Sequence, residues 1–195
     1  MVRLPEKIAY AKNATHNQFL HSFEGKVKGR YLLAFLVGIG FVGGTKLRQD
    51  IETDLGNPAY ILDEWYPGRD VIFMFDRAVR SGLSPERIGL LSVPAYKRAN
   101  PTLFEGKTAR QAFELLDQGL RSETSYAFSP TVFVEATRAL VHRRDAPIPC
   151  GYMVGLLKGL LDVVPVHGTV QEIECQWDGV RACRYEACWT QEPVK

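Results

Sequence analysis

Apolar positions recur with helical spacing through most of the first two thirds of the chain. The clearest case is 106–120, where Ala109, Ala112, Phe113, Leu116 and Leu120 share one face and Lys107, Arg110, Glu114 and Asp117 fall mostly on the other. Upstream, Asp70 is placed to cap a helix running to about Arg80, with Gly82 just past its end as a stop. Ser84-Pro85-Glu86 opens another, with serine as cap and proline in the first turn. Residues 31–55 read as helical at both ends, with Gly38, Gly40, Gly43 and Gly44 between. Residues 1–28 are polar and read as an N-terminal helical arm carrying His16 and His21.

The pattern changes after Ser122. Residues 125–128 and 131–141 are rich in β-branched and aromatic side chains, which predicts strands. An apolar helix follows over 150–161, with Gly151, Gly155 and Gly159 at every fourth position. Each internal glycine costs about 1 kcal/mol against alanine, so a close neighbour on that smooth face is the expected compensation. Residues 166–176 and 180–189 then read as two strands joined through Trp177-Asp178-Gly179, and Asp-Gly is a strong hairpin signal. The sum is an α+β domain: an antiparallel sheet, helices packed on one side, and a closing C-terminal β-hairpin. We expect an arm over 1–28 and a single α+β ligand-binding domain over 29–195.

Composition narrows the function classes. The 24 Lys+Arg against 22 Asp+Glu give a net charge of +2, which leaves no electrostatic footprint for direct nucleic-acid binding. With 46% hydrophobic residues the chain can bury a core, which excludes intrinsic disorder. Residues 1–7 hold no apolar leader, and the apolar run 31–44 falls short of the ~20 residues a membrane span needs, so a cytoplasmic protein is expected. Gly38, Gly40 and Gly43 match G-x-G-x-x-G formally, but no alternation of β and α follows, so small residues for helix packing explain them better.

All four cysteines lie after residue 149. Cys175 and Cys183 sit on opposite arms of the predicted hairpin, an even separation that keeps them on one face. Cys150 opens the glycine-striped helix, and Glu172 or Glu174 could add a carboxylate. Three thiolates and a carboxylate can hold zinc. The same cysteines also fit reduced structural thiols, a Cys175–Cys183 disulfide, or a redox thiol. Cys188, five residues beyond Cys183, is expected on the other face as a buried core cysteine.

Cys150-Gly-Tyr-Met-Val-Gly-Leu-Leu, Glu172-Ile-Glu-Cys175 and Cys183-Arg-Tyr together resemble the 4-vinyl-reductase domain family over about 105–190. That family also supplies the sensory domain of phenol-responsive transcription activators, and its relatives include haem-nitric-oxide-binding domains and transport-particle subunits. The resemblance implies zinc held by Cys150, Glu172, Cys175 and Cys183. Glu172 and Cys175 are three residues apart, so a bulge or a strand end is needed to turn both to one side. The histidine and tryptophan that read a phenol hydroxyl in the sensors have no counterpart at matching places.

Phe113, Leu116, Tyr126, Phe128, Phe133 and Tyr152 come from elements that would wall one apolar cavity. No catalytic constellation emerges. The expected function is a non-catalytic sensor or regulatory domain with a structural zinc, binding an apolar or aromatic small molecule, forming a homodimer and signalling through a separate protein partner. The alternatives are an accessory protein of tetrapyrrole or (bacterio)chlorophyll metabolism, a haem-type gas sensor, and an assembly or trafficking subunit. A haem sensor needs an axial histidine, and the Tyr-x-Ser-x-Arg motif of the related haem family is absent.

Overall fold

The computed structural model describes residues 2–56, 59–126 and 130–190. In chain order it contains α1 (Ala14–Ser22), β1 (Lys26–Lys28), α2 (Gly29–Asp54), β2 (Trp65–Pro67), α3 (Arg69–Arg80), α4 (Pro85–Ala99), α5 (Ala109–Glu123), β3 (Val132–Glu135), β4 (Arg138–Arg143), α6 (Cys150–Asp162), β5 (Gly168–Glu174) and β6 (Cys183–Trp189). The fold is α+β, with a four-stranded antiparallel sheet in the order β3-β4-β6-β5 and a two-stranded antiparallel ribbon, β1-β2.

Local signals account for the helix ends. Ser84 accepts from the Arg87 amide at the start of α4, and Thr108 forms a reciprocal capping box with Gln111 at the start of α5. The cap of α3 is Gly68 rather than Asp70, and Gly82 ends the turn with φ +82°. Residues 31–55 are one helical run that breaks its regular geometry at Gly44, φ 84°. By length and hydropathy α2 could cross a membrane, but its Leu32, Phe35, Leu36 and Ile39 are shut into the core. The N-terminal stretch is helical only over Ala14–Ser22, with the extended β1 following. Strands of three residues are too short to show a period, so β1 and β2 left no mark in the pattern.

The helices lie against one face of the sheet. Ala139 and Val141 of β4, Val170 of β5, and Tyr185, Ala187 and Trp189 of β6 form its buried face, where the Phe113 ring of α5 stacks on Trp189 at 5.6 Å. α6 is held between the sheet and α4, and its glycine stripe meets α4 backbone. A Cβ at Gly155 would sit 1.8 Å from the Glu86 carbonyl oxygen, and one at Gly159 2.7 Å from that of Leu90. Gly38 of α2 approaches the Ser92 hydroxyl of α4 in the same manner, a packing role and not a phosphate cradle. Cys188 lies on the outer face, as expected from its spacing, but it is half-buried rather than a core residue.

Candidate metal centre and apolar cavity

Cys150 is the first residue of α6, preceded by a bend at Pro147-Ile148 and by Pro149 as the extended N-cap. Cys175 falls one residue beyond β5, and Cys183 is the first residue of β6, so the two flank the hairpin's turn, and that closed end faces the start of α6. The sulfurs of Cys150 and Cys175 are 3.7 Å apart, those of Cys150 and Cys183 3.7 Å, and those of Cys175 and Cys183 4.0 Å. A disulfide needs about 2.05 Å, so the Cys175–Cys183 bridge left open by the sequence does not form. Three thiolates at the corners of a tetrahedron with Zn–S bonds of about 2.3 Å stand about 3.8 Å apart.

Glu172 joins them, and the four ligand atoms all lie within 4.8 Å of one another. The register explains how. Glu172 pairs with Tyr185 and Glu174 with the very next residue, Arg184, so β5 is irregular between them and the three-residue spacing no longer opposes Glu172 and Cys175. Glu174 turns away to Arg184, 2.8 Å distant. One oxygen of Glu172, Oε1, is buried without a hydrogen-bond partner among the described residues, a bonding demand that a cation would satisfy.

The surroundings act on the three sulfurs in opposite directions. The Gln176 amide donates to the Cys183 sulfur at 3.5 Å. The hydrogen bond with Cys150 draws Cys183 down to about 7, and the same contact together with burial pushes Cys150 up. Burial raises Cys175, against the pull of the Lys12 ammonium. Lys12 also lies 3.9 Å from Glu172 and 3.7 Å from Asp178. His16 of α1 is buried, stacked on Trp177 with ring centroids 4.1 Å apart, and desolvation lowers it to about 4, with Lys12 adding to the effect. Sequence reasoning missed Lys12, His16, Trp177 and Tyr185, which meet the centre from the N-terminal stretch, the hairpin turn and the buried face of β6. No spacing rule reports such contacts.

A second feature opens between α2, α4, α5 and α6: a cavity of about 410 Å³ whose walls include Phe35, Val93, Leu103, Leu116 and Leu156. Tyr31, Ser92, Glu123 and Tyr152 supply its polar groups. Burial pushes the Tyr31 and Tyr152 phenols up and raises Glu123, although Arg30 opposes the last shift. Of the six residues expected to wall a pocket, Leu116 and Tyr152 do so. Tyr126 stands behind the wall, its hydroxyl 3.3 Å from that of Tyr31. Phe113 and Phe133 do not line the cavity. Phe113 lies on the face of α5 that packs on the sheet, and Phe133 sits edge-on to Phe113 with the Arg110 guanidinium 4.3 Å over its ring. Phe128 lies outside the described residues. The two features share α6: Cys150 begins it, and Tyr152, Leu156 and Leu160 carry it along the cavity wall.

No family model matches the chain, and no curated protein does either. Solved structures do. An oxygen-binding H-NOX domain related to soluble guanylate cyclases, in its oxygen complex, superposes with a TM-score of 0.67 at 14% identity, covering 86% of this chain and 97% of that one. An H-NOX protein from S. oneidensis in the Fe(II)NO ligation state gives 0.66 at 11% identity, covering 84% and 99%. A mutant of T. tengcongensis H-NOX gives 0.63 at 14%, covering 86% and 100%. The chain therefore has the fold of H-NOX domains, which the 4-vinyl-reductase resemblance counts among its relatives.

Proposed function

We propose that this chain is a non-catalytic small-molecule sensor domain of 4-vinyl-reductase type, built on that fold. In it a structural zinc ties the C-terminal hairpin to α6, and an apolar or aromatic ligand occupies the cavity on the other side of that helix. The observation that carries the reading is the convergence of three sulfurs at 3.7, 3.7 and 4.0 Å with one buried, partly unpartnered carboxylate. Cys150, Glu172, Cys175 and Cys183 would hold the ion, which would supply a fixed cross-link between elements far apart in sequence. What the chain's own residues do is orient. The bulge in β5 turns Glu172 inward, Gln176 donates to sulfur, and the proline run sets Cys150 at the mouth of α6. Zinc content of the purified protein tests it, with about one ion per chain expected and loss of that ion in Cys175→Ser and Cys183→Ser. Unchanged zinc in both variants would sink the site. Native mass spectrometry before and after denaturation tests for a co-purifying cavity ligand.

The fold neighbours favour a second reading, a haem-type gas sensor, since those proteins carry oxygen and nitric oxide. The residues present do not fit a haem. Among the described residues that line the cavity there is no histidine, cysteine or methionine, and its Tyr31 and Tyr152 phenols are held protonated by burial. His16 lies under Trp177, His142 and His21 border separate surface grooves, and His167 is exposed just before β5. The cavity suits an organic ligand without a bound iron. An absorbance spectrum separates the two readings, because a haem protein shows a Soret band and this chain should show none.

A further inference from the structure

Residues just before and within α1 grip both parts of the chain that supply the metal ligands. The Tyr10 hydroxyl donates to the Pro147 carbonyl at 2.7 Å, three residues before Cys150. Two residues on, Lys12 reaches Glu172 and Asp178, and the Asn13 amide donates to the Trp177 carbonyl at 2.6 Å. His16 then stacks flat on Trp177, interplanar angle 6°, and Phe19 lies 5.0 Å from the same ring. The base of the stretch is fixed elsewhere, since the Ala9 amide donates to Asp76 of α3, and Ile8 and Leu20 are buried in one cluster with Ile72 of the same helix. Its two gripping points are thus the loop before α6 and the turn of the hairpin.

We infer that Ile8–Leu20 is a strap whose docking is coupled to metal occupancy, with Lys12 as the positioning residue that joins the two. The inference rests on the metal reading above. A bound ion fixes the distance between the Cys150 loop and the hairpin, and so presents both gripping points at the separation the strap spans. Three thiolates and a carboxylate around a divalent cation carry a net charge of −2, and Lys12 places a positive charge against that anionic cluster. Exposed ion pairs at 3.7–3.9 Å contribute little singly. The coupling comes instead from one segment holding both halves of the site. Linkage is reciprocal: if metal favours the docked strap, the docked strap favours metal by the same factor. Loss of metal would loosen the strap's hold on the hairpin turn and uncover Trp177, giving the domain a surface that differs between its two states.

Hydrogen exchange over residues 8–22 in zinc-loaded and chelator-treated protein, together with the rate of zinc release to a chromogenic chelator, tests this. Zinc removal should speed exchange of the strap amides at least tenfold while the amides of α4 and α5 keep their protection. Lys12→Met should release zinc about tenfold faster with the fold intact by circular dichroism, in the range found when groups that orient metal ligands are removed. Lys12→Arg should restore the slow rate. Tyr10→Phe, which loses only the bond to Pro147, provides an independent variant and should also speed release. If wild-type protein holds zinc but strap exchange and release rates are the same in all these proteins, the coupling is overturned and the metal reading stands. If wild-type protein holds no zinc, the metal reading itself fails, and the coupling with it.

Discussion

At the residue scale, the convergence of Cys150, Glu172, Cys175 and Cys183 was legible because the chemistry of cysteine and glutamate is local and their spacing on a hairpin is countable. The details that complete the site were not. The β5 irregularity that turns Glu172 inward depends on pairing with β6, and His16 reaches Trp177 from the other end of the chain. His16 also provides a pH prediction. It is neutral in the folded state down to about 4, while an exposed histidine takes up its proton near 6.5. Between those values the unfolded chain binds more protons, so stability is full above about 6.5 and falls as pH drops toward 4. The loss should be on the order of 2 kcal/mol. Urea midpoints at pH 7.5 and 5.0 check it: the drop for wild type should exceed that for His16→Gln. Titration of other groups affects both proteins and cancels in the comparison. Equal drops would mean that His16 is already charged in the fold.

At the element scale, the amphipathic pattern found α5, and the glycine stripe found the close face of α6. The pattern could not say which flank of α5 meets the sheet and which borders the cavity. Phe113, expected at the cavity, packs on the sheet at Trp189, whereas Leu116 borders the cavity. Rotation of a helix about its axis is decided by its partners, and those of α5 are α6 and the sheet, later in the chain. The glycines offer a contrast between packing and propensity. Gly155→Ala pushes a Cβ onto the Glu86 carbonyl at 1.8 Å and must separate α4 from α6. It should cost more than about 2 kcal/mol, in the range of overpacked cores. Gly119→Ala on α5 meets nothing within 4 Å and should stabilise by up to about 1 kcal/mol through helix propensity. Thermal midpoints moving in opposite directions are the expected result.

At the scale of the whole molecule, fold class followed from the order of periodic segments, but nothing in the composition indicated the H-NOX fold. The nearest resemblance reached only the C-terminal half. What joins the halves is α6, anchored at Cys150 by the hairpin cluster and lined along its length by cavity residues Tyr152, Leu156 and Leu160. Its backbone lies directly on α4, so a shift at one end cannot be absorbed by loose side chains. Ligand in the cavity and metal at the helix start should therefore affect each other's binding, and equally in both directions. An apolar fluorescent probe, N-phenyl-1-naphthylamine, measures this. Its affinity should be lower by at least fivefold after zinc is chelated, and probe bound at saturation should slow zinc release by a similar factor. Leu116→Trp, which fills the cavity, should abolish probe binding while leaving zinc at one per chain. If chelation leaves probe affinity unchanged while Leu116→Trp still abolishes it, the cavity and the metal centre are independent sites. α6 then serves only as scaffold, and any signal must leave the domain by another element.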